Sequence, residues 1–115
     1  MGLRMQIIFY RTPTGQEPVR KYLSGLSLRD RAAAADVLDA IREHGLRAPG
    51  VRFKQIRGKL WEFYIEAGAS HRIFYIVVNG PMMVLLHGYK KQSQKAPARE
   101  IKIAERRIKE VLHES

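Results

Sequence analysis

The sequence contains no cysteine and no long apolar segment. Without cysteine, the chain can form no disulfide, Cys-ligated zinc site or iron–sulfur cluster, and it has no thiol nucleophile. None of its apolar runs approaches the roughly 20 residues that a membrane-spanning helix needs. The first ten residues also lack the small-residue cleavage site of a signal peptide. We therefore expect a cytoplasmic protein that has no membrane partner and whose core holds the fold without cross-links.

Sequence motifs for metals and nucleotides are also missing. The four histidines, His44, His71, His87 and His113, are too far apart in the sequence to have metal-ligand spacing. The chain has no Walker-type glycine-rich loop for phosphates and no Gly-x-Ser-x-Gly nucleophile turn. We therefore expect no metal and no cofactor.

Basic residues dominate the charge of this chain. Its 115 residues include 21 Lys and Arg against 11 Asp and Glu, which gives a net charge of +10. The excess is concentrated in residues 51–59, with a net charge of +4, and in residues 87–109, with a net charge of +6. A chain of this length forms one domain, here 1–115. The charge favours a polyanionic partner, nucleic acid first and an acidic protein second.

The N-terminal half predicts a strand followed by two helices. Residues 5–10 are β-branched and aromatic and end at a Thr-Pro-Thr-Gly turn, which indicates a strand. Residues 17–26 have helical spacing, with Pro18 in the first turn. In the second helix, Ser27 is the expected N-cap and Asp30 completes a capping box. The apolar face of this helix is predicted from residues at helical spacing: Leu28, Ala32, Ala35, Leu38 and Ile41.

The C-terminal half predicts strands and a final helix. Asn79-Gly80 is a strong signal for a two-residue hairpin turn. Pro97 begins the last helix, which has apolar residues along one face. Four segments have the alternation or the β-branched composition of strands: 51–56, 60–66, 71–78 and 82–87.

The hairpin turn determines which side chains share a face of the sheet. A two-residue turn pairs Arg72 with His87. If Trp61 and its alternate neighbours point to the core, Glu62 and Tyr64 lie on the same face as Arg72 and His87. We therefore expect one uniformly apolar face, covered by helices. The second face gathers a carboxylate, a phenol, a guanidinium and an imidazole.

This second face has the groups that RNA cleavage without a metal requires. A base takes the proton of a ribose 2′-OH, cations stabilise the charge on the phosphate, and an acid protonates the leaving 5′ oxygen. Glu62 or His87 is the candidate base, and His87 or Tyr89 is the candidate acid. The phosphate would be held by three cations, Arg72, Lys90 and Lys91.

Each of these residues also has an ordinary structural explanation. A single histidine on a strand is more often packed than catalytic, and a cross-strand Glu–Arg pair commonly contributes under ~1 kcal/mol to stability. Because these residues converge on one face of the sheet, a catalytic role is favoured over a purely structural one. The adjoining basic residues are the expected RNA-binding set: Arg52, Lys54, Arg57, Lys59 and Lys95.

Three segments carry a recognisable pattern. They are residues 58–62 (Gly-Lys-Leu-Trp-Glu), residues 71–75 (His-Arg-Ile-Phe-Tyr) and residues 85–97, which begin Leu-Leu-His-Gly-Tyr-Lys-Lys. Together they resemble the RelE/ParE toxin superfamily, and in particular its HigB-like, phage-derived branch. The resemblance implies an α+β fold with an N-terminal strand, two helices, an antiparallel sheet of about four strands and a C-terminal helix. This fold agrees with the elements that the patterns above predict.

The resemblance also implies a function. Many members of the superfamily are ribosome-dependent endoribonucleases that cut mRNA in the A site. They are neutralised by a cognate antitoxin, which in the HigB-like branch usually carries a helix-turn-helix. By position, Glu62 and Arg72 match the family glutamate and arginine, and Lys90-Lys91 match its lysines. Tyr89 stands where the family aromatic is usually Phe, and Tyr64 stands where many relatives have Arg.

Two functions of different classes follow. The first is a toxin of a type II toxin–antitoxin system that inhibits translation as a metal-independent mRNA endoribonuclease. The second is a non-enzymatic inhibitor, either a gyrase poison as in the ParE-like branch or a degenerate domain that only binds RNA or its partner. The combination of Glu62, Arg72, His87 and the lysine pair favours the first function, because a gyrase poison would not need it.

Overall fold

The computed structural model describes residues 4–113 and contains one five-stranded sheet with helices on both faces. The order of the strands in the sheet is β1-β5-β4-β3-β2. Within residues 4–113, no helix is both long enough and apolar enough to cross a bilayer. In chain order, the elements are β1 (Gln6–Phe9), α1 (Pro18–Ser24), α2 (Leu28–His44), a 3₁₀ turn (Gly45–Arg47), β2 (Phe53–Arg57), β3 (Leu60–Glu66), β4 (Ser70–Val78), β5 (Met82–Lys90) and α3 (Ala98–Val111).

The predicted α+β class is confirmed, and the sheet has one strand more than expected. Strands β2 to β5 form the antiparallel meander that the turn signals indicate. The additional strand is β1, which pairs in parallel with β5 and makes the sheet mixed. A parallel neighbour needs a long crossover, and α1, α2 and the meander together provide that connection.

Helix α2 begins at Ser27 as predicted, but it buries a different stripe of residues. The Ser27 side chain accepts a hydrogen bond from the Asp30 backbone N–H at 3.2 Å. Asp30 does not complete the capping box, because its carboxylate turns inward to the β3–β4 turn. The buried residues are Asp30, Ala34, Leu38 and Ile41, whereas the predicted Leu28, Ala32 and Ala35 are exposed.

The physical reason is the run of four alanines at 32–35, which permits more than one apolar stripe. The buried anchor at Asp30 selects the stripe that continues through Ala34 and Leu38. Sequence periodicity correctly predicted the C-terminal half of the helix, where leucine and isoleucine dominate the signal.

Two cores lie on opposite faces of the sheet. Helices α1 and α2 cover the first face, called the α1/α2 face here, over Phe63, Ile65, Ile73, Tyr75 and Leu85. Helix α3 covers the second face, called the α3 face, over Leu60, Phe74, Ile76, Val84 and Leu86.

Two expectations about these faces are wrong. The α1/α2 face is not uniformly apolar, because it buries Asp30 and His71 as a hydrogen-bonded pair. Trp61 lies on this face beyond the reach of the helices and is 36 % exposed. The helices therefore cover only part of the face. The hydrogen bond with Asp30 explains why the polar residue His71 is buried on a face that the strand pattern predicts to be apolar.

The predicted hairpin register is also wrong. Arg72 pairs with Tyr89 rather than with His87. The loop contains three residues, because Val78 pairs with Met82, and this shifts the partners on β5 by one residue. A two-residue turn would need the backbone N–H of residue 81 to bond the carbonyl of residue 78, and Pro81 has no N–H.

A β-bulge at Leu86 then changes the register again, between Phe74 and Tyr75 on the partner strand. Leu86 packs into the α3 core, and the next residue, His87, pairs with Phe74 on the same face. The bulge therefore brings both His87 and Tyr89 to the face of Glu62 and Tyr64. The predicted grouping survives although the predicted pairing does not.

Candidate active site

The predicted polar residues on the α3 face fall into two adjacent rows that run across strands β2 to β5. The registers of neighbouring strands define each row, so its members are cross-strand neighbours. The first row is Lys54, Glu62, Phe74 and His87. The second row is Arg52, Tyr64, Arg72 and Tyr89, with Arg52 placed by its carbonyl, which accepts the Tyr64 backbone N–H.

Glu62 and Tyr89 form a buried hydrogen bond at the centre of these rows. The Tyr89 hydroxyl donates to Glu62 Oε1 at 3.0 Å, and the Glu62 residue is only 4 % exposed. Burial raises the pKa of Glu62, although the Tyr89 hydrogen bond and the charges of Arg72 and Lys54 oppose the shift. Burial and the neighbouring Glu62 also raise the pKa of Tyr89. Glu62 is therefore a stronger base than a surface carboxylate, and Tyr89 keeps its proton.

Arg72 lies next to this pair and is held in one orientation. Its Cζ atom lies 3.7 Å from the centroid of the Tyr64 ring. Its Nη1 atom donates to Ser70 Oγ at 2.7 Å and to the His71 carbonyl at 3.2 Å, and it lies 3.8 Å from Glu66 Oε1. Every hydrogen bond of the Arg72 side chain to residues 4–113 uses Nη1, so its other nitrogens are not committed to these contacts.

Removing the Arg72 side chain would leave a cavity in the fold. Arg72 is 5 % exposed, because the Tyr64 ring packs over its guanidinium. Replacing it by alanine would therefore remove packing as well as charge. A lysine replacement, which keeps a long stem and a positive charge, separates the two effects more cleanly.

Tyr64 stacks with a second arginine. The Cζ atom of Arg52 lies 4.5 Å from the centroid of the same ring, so two guanidinium groups share one aromatic side chain. Arg52 and Arg72 flank Tyr64 from the strands on either side of β3. Arg52 therefore adds a second guanidinium beside position 64.

His87 lies in the first row, but its ring nitrogens contact helix α3. Its Nε2 atom lies 2.6 Å from Glu100 Oε1, and Arg107 Nη1 lies 3.3 Å from its Nδ1 atom. Arg107 also donates to the Leu86 carbonyl at 2.8 Å. Burial lowers the pKa of His87, an effect that Glu100 opposes and Arg107 increases. His87 is therefore a neutral link between the sheet and α3.

Sequence reasoning missed both partners of His87. Glu100 and Arg107 are seven residues apart on α3, which places them two turns apart on the same side of the helix. This spacing was the available signal. The spacing places Glu100 and Arg107 on one side of the helix, but it does not indicate which residue of the sheet that side contacts.

The predicted lysines of β5 lie at the margin of the site. Lys90 pairs with His71, and strand alternation places it on the opposite face from Tyr89. Lys91 follows β5, and its backbone N–H donates to the Ser70 carbonyl at 2.8 Å. The fold thus brings Lys91 close to the strand end that holds Arg72, whereas Lys90 is directed elsewhere.

The predicted RNA-binding residues separate into three groups. Arg52 and Lys54 belong to the two rows of the site. Arg57 and Lys59 flank the β2–β3 turn, where Arg57 lies 3.3 Å from Glu105 of α3. Lys95 is exposed in the segment between β5 and α3. Only the first group adjoins Glu62 and Arg72 directly.

Within residues 4–113, no group of three or more His, Asp or Glu side chains is arranged to hold a metal ion. This arrangement can perform acid–base and electrostatic chemistry. It combines a base of raised pKa, a phenol that retains its proton and a guanidinium suited to a phosphate oxygen.

Comparisons with known proteins identify the family of the chain. Residues 21–109, well over half of the chain, match the model of a family described as phage-derived protein Gp49-like (DUF891). A search of the curated proteins found no match to the chain. The matched family is associated with the toxins of toxin–antitoxin systems, which implies an antitoxin as partner. The chain therefore belongs to the Gp49-like family of phage-derived, toxin-like proteins.

Proposed function

We propose that the protein is a type II toxin that inhibits translation by cutting mRNA in the ribosomal A site, as in the RelE and HigB-like branches. The observation that carries the proposal is the buried Glu62–Tyr89 hydrogen bond beside the stacked Arg72. A carboxylate of raised pKa, a protonated phenol and a fixed guanidinium are the parts that metal-free transesterification of RNA needs.

In the proposed reaction, Glu62 takes the proton of the ribose 2′-OH. The 2′ oxygen attacks the adjacent phosphorus, and the bond from phosphorus to the 5′ oxygen breaks. Tyr89 donates its proton to the leaving 5′ oxygen and recovers one from Glu62 through their 3.0 Å hydrogen bond. The products are a 2′,3′-cyclic phosphate and a 5′-hydroxyl end, and the site returns to its starting protonation state.

Arg72 is assigned to the phosphate. Negative charge builds up on the non-bridging oxygens in the transition state, and a preorganised cation there lowers the barrier. The contacts with Tyr64 and Ser70 hold the guanidinium in place before RNA arrives. His87 is assigned a positioning role, because both of its ring nitrogens already face α3.

One observation favours the second candidate, a non-enzymatic inhibitor that is either a gyrase poison or a degenerate domain that only binds RNA or its partner. Glu62 and Arg72 are almost completely buried, at 4 % and 5 % exposure. A purely structural polar cluster would have the same burial. The two candidates predict different products, so experiment separates them.

The experiment is cleavage of a defined mRNA on purified ribosomes, combined with mapping of 5′ ends in cells after induction. We expect discrete cuts within codons, dependent on ribosomes and lost when the cleaved nucleotide lacks its 2′-OH. Growth arrest without new 5′ ends would contradict cleavage. Accumulation of gyrase-linked DNA breaks under the same conditions would support the gyrase alternative.

The proposed partner is a helix-turn-helix antitoxin with an acidic segment. The chain has a net charge of +10, concentrated in residues 51–59 and 87–109, and complementary charge speeds capture. A complex of the two proteins should resist Lys-directed labelling at Lys54 and Lys59. Protection limited to the outer surfaces of α1 and α2 would contradict this placement.

A further inference from the structure

A cleft of about 680 Å³ separates the β2–β3 turn from the C-terminal half of α3. One wall carries Arg57 and Lys59, and the other carries Lys102, Arg106 and Lys109. These two walls come from the two basic segments of the sequence, 51–59 and 87–109. The fold therefore brings together the two regions that hold most of the positive charge.

The cleft has more positive charge than its own contacts neutralise. Among the described residues that line the cleft, Glu105 is the single carboxylate, and it lies 3.3 Å from Arg57 Nε. Lys59, Lys102, Arg106 and Lys109 are exposed and form no ion pair with another residue of the described range 4–113. Four unpaired cations facing one cleft repel one another unless an anion lies between them.

The three cations of α3 form a line along the helix. Lys102, Arg106 and Lys109 follow the i, i+4, i+7 spacing, so they share one side and span roughly 10 Å along the axis. A line of this length suits an extended anion with several charges better than a single small ion. The backbone of a nucleic acid strand is such an anion.

The cleft is also a neighbour of the candidate active site along β3. Leu60 lines the cleft, and Glu62 is the next residue of β3 on the same face, roughly 7 Å further along the strand. Lys54 lies beside Glu62 on β2. A strand whose reactive phosphate lies at Arg72 would therefore reach the cleft with its neighbouring nucleotides.

We propose that this cleft is a phosphate-backbone site for single-stranded RNA and that Lys102, Arg106 and Lys109 hold the nucleotides that flank the cleaved bond. The identification of the ligand as RNA rests on the proposed function. The site adds three residues of α3 to the RNA-contacting surface, none of which is in the set that the sequence predicts.

The test compares two variants that lose the same charge. The cleft variant combines Lys102→Gln, Arg106→Gln and Lys109→Gln. The control variant combines Lys21→Gln, Arg31→Gln and Arg47→Gln, which are exposed residues of α1, α2 and the 3₁₀ turn. Binding is measured on a fluorescent single-stranded RNA with 2′-O-methyl riboses, which cannot be cut, over a series of salt concentrations. Thermal melting confirms that both variants are folded.

For the cleft variant, we expect the slope of log affinity against log salt to fall by about 2, since each phosphate contact contributes roughly 0.7 on single strands. Affinity at low salt should fall roughly tenfold or more. The control variant should keep both values close to those of the parent. Equal slopes and affinities for the cleft and control variants would overturn the proposal.

The probe separates this inference from the proposed function. Because the RNA cannot be cut, the measurement does not depend on catalysis. A selective loss of binding in the cleft variant supports the RNA site even if no cleavage is found on ribosomes. Conversely, cleavage by the parent together with an unchanged slope in the cleft variant rejects the cleft and leaves the cleavage proposal intact.

Discussion

Two buried carboxylates, Asp30 and Glu62, lie on opposite faces of the same sheet and have opposite electrostatic environments. Asp30 accepts hydrogen bonds from the backbone N–H groups of Gly68 at 2.9 Å and Ala69 at 3.1 Å, and it lies 2.8 Å from His71 Nε2. The hydrogen bond with His71, followed by those with the backbone, lowers the pKa of Asp30 to about 2. Glu62 accepts a hydrogen bond from the Tyr89 hydroxyl at 3.0 Å, and burial raises its pKa.

The difference shows that the number of hydrogen-bond donors, rather than burial alone, determines whether the pKa of a buried carboxylate is lowered or raised. Asp30 has a full set of hydrogen-bond partners, which stabilise its ionised form. Its hydrogen bonds with the backbone link α2 to the β3–β4 turn. His71 extends the link to α1, because its Nδ1 atom lies 2.6 Å from the Tyr22 hydroxyl. Burial, with a contribution from Asp30, raises the pKa of Tyr22 to about 12. Glu62 has fewer partners and is therefore more ready to accept a proton.

The largest expected effect is that of Glu62→Gln on RNA cleavage. The amide keeps the shape of the carboxylate and cannot act as a base, so cleavage on ribosomes should fall by a factor on the order of 10² to 10⁴. The melting temperature should stay the same or rise, because an incompletely compensated charge is removed. Cleavage within a few-fold of the parent would show that Glu62 is not the base.

Arg72→Lys should lower cleavage by a factor on the order of 100, because one preorganised donor contributes about that much to a transition state. Lysine keeps the charge and loses the planar fork that stacks on Tyr64. The matched control is His87→Asn, which should act mainly through stability by loosening α3. If the His87 variant loses more cleavage than the Arg72 variant at equal folded fraction, the assigned roles are reversed.

Asp30→Asn should destabilise the fold and leave the chemistry intact. The amide replaces one acceptor by a donor that faces other donors, at the junction of α2, β4 and the β3–β4 turn. The melting temperature should fall further than in either active-site variant. Cleavage per folded molecule should remain at the parental level, and a selective loss of cleavage without a loss of stability would contradict a structural role.

The two carboxylates should also give opposite pH dependences of stability. The folded-state pKa of Asp30, about 2, lies below the ordinary value of 3.8, so its contribution is present above pH about 4 and is lost as the pH falls toward 2. The raised pKa of Glu62 means that ionised Glu62 costs stability, and this cost disappears as the pH falls through that pKa.

Denaturant titrations over pH measure both effects. The advantage of the parent over Asp30→Asn should shrink between pH about 4 and about 2. The advantage of Glu62→Gln over the parent should be present at neutral pH and vanish in acid. Parallel curves for the two variants would contradict the contrast between the carboxylates.

The smallest expected effect is that of Gly68→Ala. A Cβ atom at this position would lie 3.0 Å from Asp30 Oδ1, so the carboxylate must shift by a few tenths of an ångström. We expect the melting temperature to fall by ~2–5 °C. Gly25→Ala is the control, because its Cβ would lie 3.6 Å from the nearest atom and its backbone is helical, so stability should not fall. Equal melting temperatures for the two variants would show that Asp30 tolerates the contact.

The sequence by itself determined which segments form strands and helices. It also determined, for much of the sheet, which side chains lie on the same face. Strand β3 was predicted with its observed bounds, and the β4–β5 hairpin was predicted from its Asn-Gly turn. Glu62, Tyr64 and Arg72 share a face because alternation along a strand is a local property of the backbone and the turn between β3 and β4 is short.

Only the tertiary structure decided the contacts between distant segments. The bulge at Leu86 brings His87 and Tyr89 to the face of Glu62, and α3 supplies Glu100 and Arg107 as partners of His87. The same packing places the cations of α3 opposite the β2–β3 turn and pairs Asp30 with His71, 41 residues away. Such contacts depend on register and on helix docking, which are set by the whole chain, whereas periodicity reports only on neighbours within one element.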